Sequence, residues 1–164
     1  MTKTILTSFL VLLGMLIQAQ DDALELDSFL DEWHQAAARA DFEAYFGKMT
    51  DDAVFIGTDA TEYWQGDAFR EFSRPYFDKG KAWSFSAVER HIYENEAHNL
   101  AWFDELLDTR MGLCRGSGII KKVEGDWKIA HYVLSIAVPN DNVNQLLDLK
   151  AKTDSLLITK LRGQ

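Results

Sequence analysis

The sequence predicts an α+β fold, with N-terminal helices packed on one face of a curved antiparallel sheet. Three observations predict it. Apolar residues recur at helical spacing through the first half of the chain. After residue 82 the texture changes to strand-like runs separated by short turns. The helices and strands come in blocks rather than in alternation. A hydrophobic fraction of 47% and an aromatic fraction of 12% in 164 residues give such a domain enough core.

The first stretch stands apart from that fold. Lys3 is followed by the apolar run "ILTSFLVLLGMLI" (5–17) and by "QAQDD". The run is too short to span a bilayer comfortably, and no polar face interrupts it as a buried helix would require. Residues 1–20 therefore read as a secretory signal peptide, cut after Ala19 or one residue later. That reading places the remaining chain in the periplasm or outside the cell. Its removal takes away Lys3 and no acid.

Each later element has its own reason. "DALELDSFLDEWHQAAARAD" (22–41) sets Leu26, Phe29, Leu30, Trp33 and Ala37 at helical spacing, with Asp22 or Asp27 as cap. A short helix near 41–48 carries Phe42, Tyr45 and Phe46 behind Asp41 as N-cap. "AVFIGT" (53–58) is a short strand. "GDAFREFSRPYFD" (66–78) is a helix with Phe69, Phe72, Tyr76 and Phe77 on one side, and Pro75 predicts a kink or an early end. Residues 82–93, 100–108, 115–124 and 127–138 read as four strands of a meander, separated by "ENEAHN", "TRMG" and "EGD". Pro139 ends the last one. Residues 142–161 read as a terminal amphipathic helix with Leu146, Leu149, Leu156 and Leu157 roughly in phase. A strongly bent sheet over the aromatic helices leaves a conical pocket.

Composition excludes several functions. A formal net charge of −9 argues against nucleic-acid binding, which needs clustered cations. Cys114 is the only cysteine, so no intramolecular disulfide forms. With no C-x-x-C and no Cys/His cluster, a structural zinc site is not expected, and nothing calls for a cofactor. No second long apolar run follows the first, so no membrane span is expected after residue 20.

The order of elements resembles the SnoaL-like branch of the nuclear-transport-factor-2-like superfamily. "AVFIGTDATEYWQG" (53–66), "RHIY" (90–93), "AWFDELLD" (101–108), "RGSGII" (115–120) and "WKIAHYVLSIAVPND" (127–141) carry the resemblance. They look like one subfamily of small, often secreted proteins. The resemblance covers about residues 25–141, sets the domain at 22–141 and leaves 142–164 outside as a C-terminal helix and tail. It implies a cone-shaped, cystatin-like α+β roll. It does not choose a function, because this fold hosts isomerases, dehydratases, epoxide hydrolases, cyclases and binding domains. It also implies a homodimer through the outer sheet face, where Lys121, Lys122 and Lys128 add charge.

Chemistry-bearing residues fall into a few groups. In "AWFDELLD", Asp104 and Glu105 are adjacent in a strand, so they point to opposite faces. A hairpin closed at "TRMG" pairs Asp108 with Leu113, Leu106 with Arg115 and Asp104 with Ser117. Arg90 would reach the face of Asp104 under a neighbouring register. Two readings stand. Each acid is neutralised by a donor and fixes register, or one projects into the cone as a desolvated general base, as in ketosteroid isomerase. Asp104 and His131 are the candidate catalytic residues, since a histidine titrates near neutral pH. Asp59, Glu62 and Trp64 are candidates for the pocket mouth, against the plainer reading of a solvated Asp turn. Arg90, Trp102, Glu105, Arg115 and Ser117 complete the candidate ligand-binding set. His91 shares that acid–base reading, but a lone strand histidine such as His91 or His131 is more simply a hydrogen-bonded core residue; His34 and His98 read as surface positions, and Cys114 packs. The glycines of "RGSG" permit bending or close backbone approach. The leading expectation is a binding domain for a small, largely apolar molecule. The alternatives are a cofactor-independent acid–base enzyme and a dimerising structural module.

Overall fold

The computed structural model describes residues 24–163. The expected signal peptide lies outside the described residues.

Helix α1 runs through 24–38 and buries Leu26, Leu30, Trp33 and Ala37 along one stripe. It stops in a Schellman-type turn. Ala40 takes a left-handed φ of 55°, and the Asp41 N–H donates to the Ala36 carbonyl at 2.8 Å. Asp41 then starts the next helix, α2 (Phe42–Gly47), by accepting from the Ala44 N–H at 3.0 Å. One residue thus closes one helix and caps the next, which fixes the angle between them.

Strand β1 (Met49–Ile56) follows, then β2 (Tyr63–Gln65), then helix α3 (Asp67–Asp78). Pro75 does not end α3, which runs three residues beyond it. Strands β3 (Phe85–Glu94), β4 (Leu100–Thr109), β5 (Gly112–Val123) and β6 (Asp126–Ile136) form the expected antiparallel meander. Helix α4 (Val143–Arg162) comes last.

The sheet has six strands in the order β2-β1-β6-β5-β4-β3. It is mixed rather than purely antiparallel, because β1 pairs with β6 in parallel. Adjacent strands joined by tight turns must run antiparallel. β1 is separated from β6 by most of the chain, and that rule does not govern it. The predicted strand at 53–58 begins earlier, at Met49, and ends at Ile56. β2 was expected as loop.

Irregularities in β1, β3 and β6 bend the sheet. Its concave face packs on α1, α2 and α3. Trp33 stacks on Tyr45 at 5.0 Å and meets Tyr132 edge-on at 4.9 Å, while Phe55 stacks on Phe69 at 4.2 Å. Such pairs add about 0.5–1.5 kcal/mol each beyond the area they bury.

Candidate functional site

The β4–β5 register is the one the hairpin predicts: Asp108 opposite Leu113, Leu106 opposite Arg115, Asp104 opposite Ser117. Alternation then separates the two acids. Ala101, Phe103, Glu105 and Leu107 face the core, and Trp102 and Asp104 face outward. Glu105 is 1% exposed.

Glu105 is surrounded by donors. Arg90 Nε donates to Oε2, while Tyr132 Oη donates to Oε1, both at 2.9 Å. His34 Nε2 sits 2.9 Å from Oε1 on its other side. Arg90 spends its remaining N–H groups on α1. One terminal nitrogen donates to the Asp27 carbonyl at 3.1 Å and to its carboxylate, and the other to Asp31 at 3.0 Å. Asp27, Asp31 and His34 are spaced i, i+4, i+7, so α1 carries a polar stripe beside its apolar one. This stripe docks the helix onto β3 and β4. Burial pushes the Glu105 carboxyl up, but His34 and Arg90 outweigh it and hold the group below its ordinary value. Burial likewise drives the Tyr132 phenol well up, and the Glu105 charge adds to it.

Two sequence details make this cluster possible. β3 has an irregularity between Ala87 and Glu89 that sets Arg90 opposite Glu105. Unbroken pairing from Ala87 would have set it opposite Asp104, and this corrects the expectation that Arg90 shares a face with Asp104. Gly116 lies across from Glu105 on β5. A Cβ there would come within 2.2 Å of Tyr132 Oη and 2.9 Å of Glu105 Oε1. Only glycine lets the tyrosine reach over β5 to the acid, as the close-approach reading of "RGSG" anticipated.

An aromatic-walled cavity of about 450 Å³ lies elsewhere, beside the β1–β2 loop and the β4–β5 turn. Its walls are Phe55, Trp64, Phe69, Phe72, Trp83 and Phe85, and Leu134 also lines it. Trp64 and Phe72 stack at 4.1 Å. Phe85 also meets the His34 ring edge-on at 5.8 Å, so it stands between the cavity and the buried charges. Polar groups line the cavity too: Thr58, Glu62, Asp108 and Arg110.

Glu62 is also the clasp of the β1–β2 loop. Gly57 N–H donates to its carbonyl at 2.9 Å, and its carboxylate accepts from the Asp59 N–H at 3.1 Å. Gly57 leaves room for that carboxylate, since a Cβ there would lie 2.2 Å from it and displace the clasp. Asp59 is the exposed turn acid of the plainer reading. It accepts from the Thr61 N–H and hydroxyl at 2.8 and 2.6 Å, and these bonds hold its carboxyl below the usual range.

Asp59 does not line the cavity, and the other predicted residues fall into three places. Glu62 and Trp64 line the cavity. Arg90 and Glu105 meet in the buried cluster. Asp104, Trp102, Arg115, Ser117 and His131 lie on the convex face, where Asp104 pairs with His91 at 3.2 Å and Trp102 stacks on Tyr93 at 5.9 Å. His34 is not a surface residue but is 3% exposed, and His91 is not a core residue but stands half exposed on the convex face. Cys114 is buried and packs, as expected. Sequence reasoning missed Asp27, Asp31, His34 and Tyr132 in the cluster, and Trp83, Phe85, Asp108 and Arg110 at the cavity. The i, i+4, i+7 stripe on α1 was the signal for the first three. Among the described residues no group of three or more His, Cys, Asp or Glu side chains could hold a metal ion. No helix among them is long and apolar enough to cross a membrane.

Residues 26–139 match the family model described as SnoaL-like domain. The fold is similar to a domain of unknown function with a cystatin-like fold from Nostoc punctiforme. That likeness has a TM-score of 0.63 at 16% identity, over 88% of this chain and 98% of that one. It is similar also to an NTF2-like protein of unknown function from Pseudomonas putida, with a TM-score of 0.59 at 16% identity, over 72% and 88%. The association domain of CaMKII from C. elegans has a TM-score of 0.54 at 21% identity, over 73% and 95%. At such identities the likeness is one of fold. No curated protein matches the chain.

Proposed function

The chain belongs to the SnoaL-like domain family, and from that premise we propose that it binds a small, largely apolar molecule in the aromatic cavity. The observation that carries this reading is the cavity itself: about 450 Å³ with six aromatic side chains among its walls and the charged groups Glu62, Asp108 and Arg110. Trp64, Phe69, Phe72 and Trp83 supply apolar area, and the charged groups orient a polar end. The buried acid favours binding over acid–base catalysis. Glu105 already has three donors on its two oxygens and stays ionised, so it is no free base. Asp104 and His131 lie on the opposite face of the sheet from the cavity, which takes support from the reading of either as a pocket base. Export through residues 1–20 belongs to the same proposal.

Titration with the neutral fluorophore N-phenyl-1-naphthylamine tests it. Saturable binding of one probe per chain is expected, with Phe72→Ala weakening it by about tenfold, the loss of roughly 1.4 kcal/mol of wall contact. No saturable binding, or unchanged affinity in Phe72→Ala, overturns the reading.

Self-association through the convex face is the second part of the proposal. Tyr93, Trp102 and Ile119 are 49%, 45% and 39% exposed and neighbour one another across β3, β4 and β5. Exposed aromatic clusters of this kind favour an interface. Light scattering should give twice the chain mass, and Trp102→Lys should halve it. A wild-type monomer at high concentration refutes this part.

A further inference from the structure

Helix α4 carries a stripe that is complementary to itself. Val143, Leu147, Lys150, Asp154, Leu157 and Leu161 recur at alternating steps of four and three residues, the spacing of a coiled-coil seam. Leu146 and Ile158 flank them. At about 3.6 residues per turn, these positions all fall within about 120° of the helix circumference. The stripe holds six of the eight large apolar residues of α4. Gln145, Asp148, Lys152, Ser155 and Thr159 occupy the far side.

The stripe reads the same in both directions. About its centre Val143 mirrors Leu161, Leu146 mirrors Ile158, Leu147 mirrors Leu157 and Lys150 mirrors Asp154. Two copies laid antiparallel set apolar residues against apolar residues at both ends and lysine against aspartate in the middle. Laid parallel in register, they would set like charge against like charge, which is disfavoured.

Among the described residues none covers this stripe. No residue of α4 is buried, and only Asp154 and Leu157 are half-buried. Leu147, Ile158 and Leu161 are each about half exposed. A 20-residue helix without packing is marginal in water, so its stability needs a partner. Its position says which. α4 and the outward residues Val133 and Ser135 of β6 line one hollow of about 1020 Å³. Val133 lies opposite Ser117, on the convex face. α4 and the patch of Tyr93, Trp102 and Ile119 therefore share one side of the molecule, and a copy docked on that patch brings its own α4 to this side.

We propose that α4 pairs antiparallel with the α4 of a second copy. The inference rests on the self-association reading above and names its second contact. The aromatic patch supplies apolar area, and the helix pair sets the register. A charged pair in the middle of such a seam fixes orientation at a cost in stability. Lys150 and Asp154 already bridge at 3.2 Å within one helix, and pairing gives each a second opposite charge. Helices this short hold weakly alone, and the patch raises their effective concentration.

Disulfide trapping on the full chain tests the pairing. Chains with Leu147→Cys and chains with Leu157→Cys are oxidised separately and as a mixture; Cys114 is buried and takes no part. Antiparallel pairing brings residue 147 of one copy to residue 157 of the other. Two copies of residue 147 stay about 15 Å apart along the seam, out of disulfide reach. Cross-linked dimer should be about fivefold or more higher in the mixture than in either chain alone. No cross-link in the mixture, or equal amounts in all three, overturns the pairing. Charge gives a readout without thiols. Lys150→Asp and Asp154→Lys should each weaken the dimer about tenfold by light scattering, and mixing the two chains should restore it to within about twofold. No weakening, or no rescue on mixing, also overturns it, since loss of the bridge within one helix is not mended by a second chain. A wild type of twice the chain mass that fails to cross-link removes the helix pair and leaves the convex face standing. Cross-linking that survives Trp102→Lys upholds the pair and counts against the convex face alone.

Discussion

Glu105→Gln is the sharpest single perturbation of this fold. It keeps the size of the side chain and removes its charge. The carboxylate now serves three donors at 2.9 Å, from His34, Arg90 and Tyr132. An amide offers one acceptor oxygen and one NH₂. With the oxygen toward His34 and Tyr132, the NH₂ opposes Arg90 Nε; turned round, two donors face it instead. Either way a buried donor loses its partner, and an arginine side chain 4% exposed loses its only fully buried counter-charge. Breaking a buried ion pair from one side costs about 3–5 kcal/mol. Asp27 and Asp31 still face Arg90, so the lower end applies, about 3 kcal/mol. For a chain of this length that lowers Tm by about 10 °C. Urea unfolding followed by circular dichroism measures it. Acid supplies a second check with a definite sign. The folded-state Glu105 lies below its ordinary value. Its stabilisation is therefore complete above the unfolded value of about 4.3 and is lost as the pH falls through the depressed folded one. The gap between wild type and variant should be full at neutral pH and should narrow below about pH 4. A loss under about 1 kcal/mol, or a gap that ignores pH, would refute the account of the cluster.

Other expectations follow from the same geometry. Gly116→Ala should cost about 2–3 kcal/mol, because the atoms it meets are pinned by the Tyr132–Glu105 bond. Gly47→Ala, where a Cβ meets nothing within 4 Å, should be neutral or slightly stabilising in the same unfolding assay. Asp104→Asn should cost less than about 1 kcal/mol and leave N-phenyl-1-naphthylamine affinity unchanged, since its partner His91 is half exposed. A large loss of affinity there would return Asp104 to the ligand site. Asp41→Ala should cost about 1 kcal/mol through the lost α2 cap, read by thermal melting.

Much of this architecture was legible in the residues. Helical spacing found α1, α2 and α3, and the turn residues "TRMG" set the β4–β5 register residue by residue. The parallel pairing of β1 with β6 was not legible, since no local pattern links strands so far apart in the chain. β2 spans three residues, too few for alternation to show. The face of Asp104 was open because the two acids were weighed alone. Their neighbours decide it: Ala101, Phe103 and Leu107 alternate with Glu105, while Trp102, Leu106 and Asp108 alternate with Asp104. The first set carries a single charge and the second carries two, so the first goes inside. The Arg90–Glu105 pairing needed the irregularity in β3, and no residue near Val88 announces one.

The adjacent acids of β4 also set the correct strand register apart from its nearest alternative. A strand threaded one position out would bring Asp104 beneath α1 and send Glu105 to the water. The shorter acid would stop one methylene short of its three donors, and the guanidinium of β3 would keep only the half-exposed Asp27 and Asp31 as counter-charges. Trp102 and Asp108 would have to enter the core alongside it. The correct threading is thus separated from its nearest error by a weakened ion pair as well as by oil and water.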